Sequence, residues 1–316
     1  MLEGAPLACK VKLQFIEHSN GPSENNPLAH YRALRFLLEF RPDVLVCSLW
    51  RSVPVALAYS ALRPRCKLVL FLHSPITVHV LDRIFSRLIL KRCDAIWADS
   101  EATLVARGIV DTSSIKRVVS FVTNVGPELD WSKALRPRFV FWGRLHPQKG
   151  LDRAIEFVQS LKDRGAAPVF EIFGPDGGAE KQLRQQITSA GLEKEVLLKG
   201  QVRPEELDRI ATTNSFYLQL SREEGMAMSV VEAMQRSLVP VVTPVGEIAN
   251  YCTDGENAVV VQDPDNPGPA VDKVLNLLGE ESEYRVMQKA AHAQWSSKVL
   301  YRDDFCRAAI ELLSAR

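Results

Sequence analysis

Two carboxylates, Glu224 and Glu232, stand eight positions apart in the string SREEGMAMSVVEAM (221–234), where the apolar segment FYLQL (216–220) gives way to a helical pattern near residue 229. The loop 223–228 therefore lies at the carboxyl end of a strand, which is where open α/β sheets bind their ligands. Gly225 allows the backbone to approach a ligand closely, and the amides after it open a helix whose unpaired N–H groups and positive dipole end suit a phosphate. This spacing lets one carboxylate reach a sugar while the other reaches a ribose. Glu223 competes for the first place, but only Glu224 leaves seven residues before Glu232.

Two cations occupy a second turn of the same design. RFVFW (138–142) has the pattern of a strand and runs into GRLHPQKGLDRAIEFV (143–158), which has that of a turn and helix, so Arg144 and Lys149 fall between strand end and helix start. Donors already in place there would meet the charge that develops on a departing diphosphate. A solvated charge pair is the plainer alternative, and it gives no reason for Gly143 and Gly150 around them.

The elements that must hold these turns alternate along the chain. The pattern predicts a strand at 11–16, a helix at 28–40, a strand at 44–48, a helix at 53–62, a strand at 67–72, a helix at 78–91 and a strand at 95–98. A helix near 102–107 and a strand at 117–122 follow. The polar, non-periodic stretch TNVGPELDWSKALRP (123–137) reads as an interdomain linker. From Arg138 the alternation resumes for six strands, the last at 257–262, and the remainder is helical. Such alternation predicts parallel sheets with right-handed crossovers.

Composition narrows the chemistry further. The 316 residues allow two domains of ordinary size, with a formal net charge of +1. No apolar run approaches the roughly 18 to 20 residues needed to span a bilayer, and the start MLEGAPLACKVKLQ has no apolar core of signal-peptide length. Six scattered cysteines without a CxxC pair read as reduced packing thiols of a cytoplasmic protein. Charge is uneven: residues 1–135 carry 17 Lys and Arg against 12 Asp and Glu, hence +5, and the rest carries 22 against 26, hence −4. Within the basic half, residues 80–94 place Arg83, Arg87 and Lys91 on one helical stripe beside Ile84, Phe85, Leu88 and Ile89. An anionic membrane surface is the functional reading of that stripe, and the solvated face of an ordinary helix the bland one. IFGPDGG (172–178) lacks the G-x-G-x-x-G spacing of a dinucleotide site, and no P-loop string occurs. Asp263 and Asp265 in QDPDNPG could suggest a metal pair, yet two prolines after the last strand read as a turn. No metal and no other cofactor is expected.

Together the strings around Arg144, Lys149, Glu224 and Glu232 resemble family 4 of the retaining glycosyltransferases, the glycosyl transferases group 1. IFGPDGG (172–178), LLKGQVRPEEL (197–207) and VPVVTPVGEIANYCTDGENAVVV (239–261) fall in that family's order, and the resemblance is strongest over 138–261. It implies the GT-B fold: two Rossmann-like α/β domains whose parallel sheets face across a cleft. The division expected is 1–134 for the acceptor side, 135–294 for the nucleotide-sugar side, and 295–316 for a C-terminal helix packing back across the cleft. Family members open with a strand and a glycine-rich loop on the acceptor side. This chain begins with the character of the third strand, so the first βαβ of the N-terminal domain is expected to be absent.

The resemblance also implies roles. Arg144 and Lys149 would hold the donor diphosphate, with Gly143 beside them; Glu224 would touch the hydroxyls of the donor sugar; Glu232 would accept from the ribose. The loop Gly225, Met226, Ala227 and Met228 would contact sugar and phosphate, backbone near Gly200 and Gln201 would face the base, and His73 would approach the sugar and acceptor. A satisfied turn residue is the alternative for His73. Where Ser237 stands the family usually has glycine. The activity implied is retaining, metal-independent transfer of a hexose-type sugar from a nucleotide diphosphate sugar to a saccharide or lipid-linked acceptor in polysaccharide or glycolipid biosynthesis. No nucleic-acid partner is implied, and the place is the cytoplasm or the inner face of the membrane. The rival is a nucleotide-sugar-binding protein without turnover, lacking the glycine-rich loop.

Overall fold

The computed structural model of the chain describes residues 27–73, 80–109, 115–124, 126–127 and 134–315. They form two compact units, one with the chain up to Ala98, Ile109–Val119 and Arg302–Arg316, the other with Asp99–Gly108 and Ser120–Tyr301. The expected strand at 11–16 lies outside the described residues.

In the first unit, α1 (Pro27–Phe40), β1 (Val44–Ser48), α2 (Val53–Leu62), β2 (Lys67–Leu72), α3 (Val80–Leu90) and β3 (Ala95–Ala98) alternate. After α4 (Glu101–Ala106), which belongs with the second unit, β4 (Ile115–Val118) completes a parallel sheet in the order β1-β2-β3-β4. Strand β2 is a near-continuous apolar run, buried from Leu68 to Leu72, as befits a parallel strand covered on both faces. Ala33 and Leu37, four apart on α1, cluster with Val55 and Tyr59 of α2. The last helix, Tyr301–Ser314, buries Ala308 and Leu312, sets Phe305 edge-on to Trp97 at 5.1 Å and receives Arg117 on Asp304 and Glu311. β4 ends earlier than the expected 117–122. Val119 N still donates to Ala98 O, but Val122 O then accepts from Tyr301 N, so the chain has left the sheet by Ser120.

The second unit holds β5 (Arg138–Trp142), α5 (Leu151–Asp163), β6 (Val169–Phe173), α6 (Glu180–Ser189), β7 (Val196–Gly200), α7 (Leu207–Thr213), β8 (Phe216–Gln219), α8 (Met228–Gln235), β9 (Val239–Val242), α9 (Ile248–Tyr251), β10 (Val259–Val260), α10 (Gly268–Gly279) and α11 (Glu281–Ser296). Apolar residues at helical spacing on α5, Leu151, Ala154, Ile155, Val158 and Leu161, are all buried. The sheet order is β10-β9-β8-β5-β6-β7, with every pairing parallel. Winding thus proceeds outward from β5 through β6 and β7, then returns to the other side of β5 for β8, β9 and β10. The order reverses between β5 and β8, and the crevice at their carboxyl ends is the switch point of a doubly wound sheet. Stacked Phe139 and Phe216, 5.0 Å apart, join those two strands in the core. Pro240 stands in β9 without disturbing it: β10 pairs only with Val241 and Val242, so no ladder partner awaits the missing N–H.

Candidate functional site

Two loops leave the switch point, 143–150 after β5 and 220–227 after β8, and hydrogen bonds lace them together. Gly150 has φ 62°, and a Cβ there would lie 1.8 Å from Leu220 O, so only glycine permits this approach. Arg222 N donates to Gln148 O at 2.8 Å and Gln148 Nε2 to Glu223 O at 2.8 Å. The Arg222 guanidinium grips both oxygens of Asp152 at 2.8 and 2.6 Å, and its hydrogen bond holds the Asp152 carboxyl below the usual carboxylate range. A third segment braces the second loop from behind. A Cβ on Gly246 (φ 58°) would meet Glu224 O at 2.1 Å, Glu247 N donates to Gly225 O, and Glu247 Oε2 accepts from Ala102 N of α4.

Lys149 and Glu224, assigned above to separate partners, are brought together. Lys149 Nζ donates to Glu224 Oε1 at 2.8 Å and to Oε2 at 3.0 Å, with the carboxylate buried and the ammonium partly exposed. Glu224 Oε1 also accepts from Gln219 Nε2 at 2.9 Å and Ser221 Oγ at 2.7 Å. Charge-assisted bonds on this scale fix a carboxylate firmly. Glu232, on α8, accepts from Trp142 Nε1 at 3.0 Å. Burial raises its pKa, while the indole hydrogen bond and nearby Arg236 pull the other way.

Ala227 precedes α8 in the left-handed region, φ 55° and ψ 61°, and offers no side-chain cap, while Met226 O accepts from Tyr251 OH at 3.1 Å and Met228 begins the helix. Arg144 is exposed, packs its stem over Gly177 and has no ion pair among the described residues. Gly143 N donates to Phe173 O. Gly200 closes β7 with its carbonyl accepting from Gly174 N at 2.7 Å, and Gln201 is exposed beside it. His73 lies in the first unit at the end of β2, its Nδ1 bonded to Ser48 Oγ at 2.9 Å. The other eleven candidates all belong to the second unit. Asp263 Oδ1 accepts from Asp265 N and Asp263 O from Asn266 N, the bonds of a turn. Among the described residues, no group of three or more His, Cys, Asp or Glu is placed to hold a metal ion.

Several contributors escaped the sequence reading. Gln219, Ser221, Tyr217 and Trp142 support the two carboxylates, and their only trace in the chain is polarity at odds with its surroundings, a Gln inside FYLQL and an indole before Gly143. Asp176, within IFGPDGG, accepts on Oδ1 from Gly178 N, Ala179 N and Glu180 N and so satisfies amides at the start of α6.

A site with these parts can hold an anion beside Arg144, Lys149 and the α8 amides, and hydroxyls beside Glu224 and Glu232. Residues 132–294 match the model of glycosyl transferases group 1, and residues 8–105 that of Glycosyltransferase Family 4. Similar curated relatives include the GDP-mannose:cellobiosyl-diphosphopolyprenol alpha-mannosyltransferase of Xanthomonas campestris, 28% identical over 39% of this chain and 32% of that one. The lipopolysaccharide core biosynthesis mannosyltransferase LpsB of Rhizobium meliloti is 24% identical over 74% of this chain and 70% of its own. The chain spans only 32 to 41% of the length of the first curated relatives it matches. Among solved structures, Anabaena Alr3699/HepE in complex with UDP and glucose superposes with a TM-score of 0.77 at 18% identity, covering 94% of this chain and 83% of that one. TarM superposes at 0.75 with 17% identity, over 91% and 58%. At such identities the likeness is one of fold, and the fold is GT-B.

Proposed function

This chain belongs to the glycosyl transferases group 1, and from that membership together with the switch-point site we propose that it moves a hexose-type sugar from a nucleotide diphosphate sugar to a saccharide or lipid-linked acceptor, with retention at the anomeric carbon. The observation that carries the reading is a pair of carboxylates at the switch point, the buried Glu224 on a lysine and the half-buried Glu232 of α8 on an indole. In this reading Glu232 accepts from the ribose hydroxyls, and the α8 amides, Arg144 and the remaining proton of Lys149 Nζ receive the diphosphate. Backbone near Gly200 and Gln201 faces the base, and His73 serves the acceptor side. Glu224 accepts from the sugar hydroxyls, and its bond to Lys149 fixes phosphate and sugar subsites in one geometry. As the bond from C1 to the diphosphate breaks, the acceptor oxygen bonds C1 on the same face and its proton passes to a phosphate oxygen of the leaving group. No side-chain nucleophile is required. The cations meet the charge as it develops, a contribution on the order of 2 to 4 kcal/mol per group.

Polysaccharide or glycolipid synthesis at a membrane face suits the relatives' mannosyl transfers and the outer face of α3. Leu81, Ile84 and Leu88 are exposed there beside Arg83, Arg87 and Lys91, and the helix's one acid, Asp82, is buried. No helix among the described residues is long and apolar enough to cross a membrane. Cations flanking an exposed apolar stripe fit an anionic lipid surface.

Calorimetric titration of the chain with UDP, GDP and ADP, and with UDP-glucose, GDP-mannose and ADP-glucose, tests the site. One base should bind selectively, and Glu232→Ala should abolish that binding. Sedimentation with phosphatidylglycerol vesicles, against phosphatidylcholine alone, tests the surface. Absence of binding to every nucleotide would overturn the donor assignment, and nucleotide binding with no transfer to any acceptor would favour the binding-only rival.

A further inference from the structure

Gln219 is fully buried at the end of β8, with hydrogen-bond partners on both its amide oxygen and its amide nitrogen. Its Oε1 accepts from Ser229 Oγ at 2.9 Å and faces Tyr217 OH at 3.0 Å; its Nε2 donates to Ser221 Oγ at 3.0 Å and to Glu224 Oε1 at 2.9 Å. Tyr217 has one hydroxyl proton and a second acceptor in Trp142 O at 3.0 Å, so the amide oxygen is held by Ser229 and the amide protons face Ser221 and Glu224. Turning the amide over would set its oxygen against the Glu224 carboxylate, and the network therefore has one orientation.

Its consequence falls on Glu224. Oε1 accepts three donors, from Gln219, Ser221 and Lys149, whereas among the described residues Oε2 accepts from Lys149 alone. A carboxylate has about four acceptor positions, two on each oxygen. Oε1 is saturated and held inward, which leaves Oε2 with capacity for a hydroxyl. The same network runs on to the other carboxylate: Tyr217 OH also lies 3.0 Å from Trp142 O, and the indole of Trp142 holds Glu232. Gln219 lies on the opposite face of β8 from Leu218 and Leu220, and its replacement would take a partner from Ser229 Oγ, Ser221 Oγ and Glu224 Oε1. A buried polar residue bonded in this way fixes the geometry of its partners.

We propose that Gln219 is a positioning residue that aims Glu224 Oε2 at a hydroxyl of the donor sugar, so that it governs recognition of the sugar and not of the nucleotide. The proposal rests on the glycosyl-transfer reading of the site. Its test is calorimetric titration of wild type, Gln219→Met and Ser221→Ala with UDP, GDP, ADP and the sugar nucleotides UDP-glucose, GDP-mannose and ADP-glucose. The bare nucleotide that wild type prefers should bind Gln219→Met within about threefold, while the extra affinity contributed by its sugar falls about tenfold, the loss expected of one charge-assisted hydrogen bond. Ser221→Ala, a milder change to the same carboxylate oxygen, should move the same ratio in the same direction and keeps the test open if Gln219→Met does not fold. Equal losses for nucleotide and sugar nucleotide would assign Gln219 a structural role and overturn the proposal while leaving the donor site standing. No nucleotide binding by wild type would sink both.

Discussion

The Lys149–Glu224 pair sets up a measurement that needs no substrate. Lys149→Met keeps the aliphatic stem and removes Nζ, leaving Glu224 Oε1 with its donors from Gln219 and Ser221 but Oε2 with none among the described residues. Breaking a buried ion pair from one side typically costs 3 to 5 kcal/mol, but this ammonium is one-fifth exposed and Oε1 stays satisfied, so about 2 to 3 kcal/mol is expected. For a cooperative unit of this size that corresponds to a fall in melting midpoint of roughly 5 to 10 °C. Glu224→Gln alone leaves the ammonium beside a neutral amide and should cost less. In the double variant Lys149→Met/Glu224→Gln no charge is buried without a partner, and stability should return to within about 1 kcal/mol of wild type. Urea melts of the four proteins, followed by circular dichroism, give the coupling. Strictly additive effects, with a coupling under about 0.5 kcal/mol, would refute the claim that Lys149 neutralises Glu224.

Two further outcomes follow from individual residues. Ser237 sits at φ 57° with a buried Oγ that has no partner among the described residues; Ser237→Gly removes about 1 kcal/mol of left-handed strain and an unpaired hydroxyl worth a similar amount, less about 0.5 to 1 kcal/mol of glycine entropy, so calorimetry should show a midpoint higher by roughly 2 to 4 °C, and a lower one would contradict the accounting. Burial raises the Glu232 carboxyl, so the native state binds its proton more readily than the unfolded chain, and the group's contribution to stability falls as pH rises through the folded-state value; Glu232→Gln should therefore melt above wild type at pH 7, with the gap closing toward the unfolded carboxylate range near about pH 4, and a gap that stayed constant with pH would exclude burial as its cause.

Much of the scaffold could be read from the chain because strands such as RFVFW and KLVLFL are apolar, β-branched or aromatic runs bounded by polar turns. Their predicted bounds coincide with β5 and β2. The strand expected at 117–122 was misplaced because Val118, Val119, Phe121 and Val122 continue the apolar pattern while the chain is already leaving the sheet. Periodicity records which side chains are buried and is silent about which neighbour buries them. The site shows the same division. Arg144, Lys149 and Glu224 announce themselves by charge beside glycine and Glu232 by its spacing from Glu224, but the lysine's attachment to Glu224, the indole on Glu232 and the amide of Gln219 depend on the order of strands in the sheet. No local string encodes that order: β5 and β8 are neighbours although 73 residues lie between Trp142 and Phe216.

Departures from the rules of stability also cluster at this switch point, and their character separates use from accident. Ala227 in the left-handed region, an ion pair under the loop, a buried hydrogen-bonded glutamine in β8 and, on the helix that follows, Glu232 held against a desolvation penalty all lie around the loops that follow β5 and β8. Each polar member there is partnered, as in a site built to keep one geometry. Ser237 shares Ala227's backbone strain but lies at the far end of α8, with its hydroxyl unpartnered among the described residues. Strain with a satisfied network marks the part of the fold proposed to bind the donor, and strain without one marks a position where glycine would serve the chain better. Relieving Ser237 should therefore leave nucleotide affinity untouched, whereas Ala227→Gly, which frees the loop ahead of the α8 amides, should stabilise nothing without also loosening the phosphate subsite.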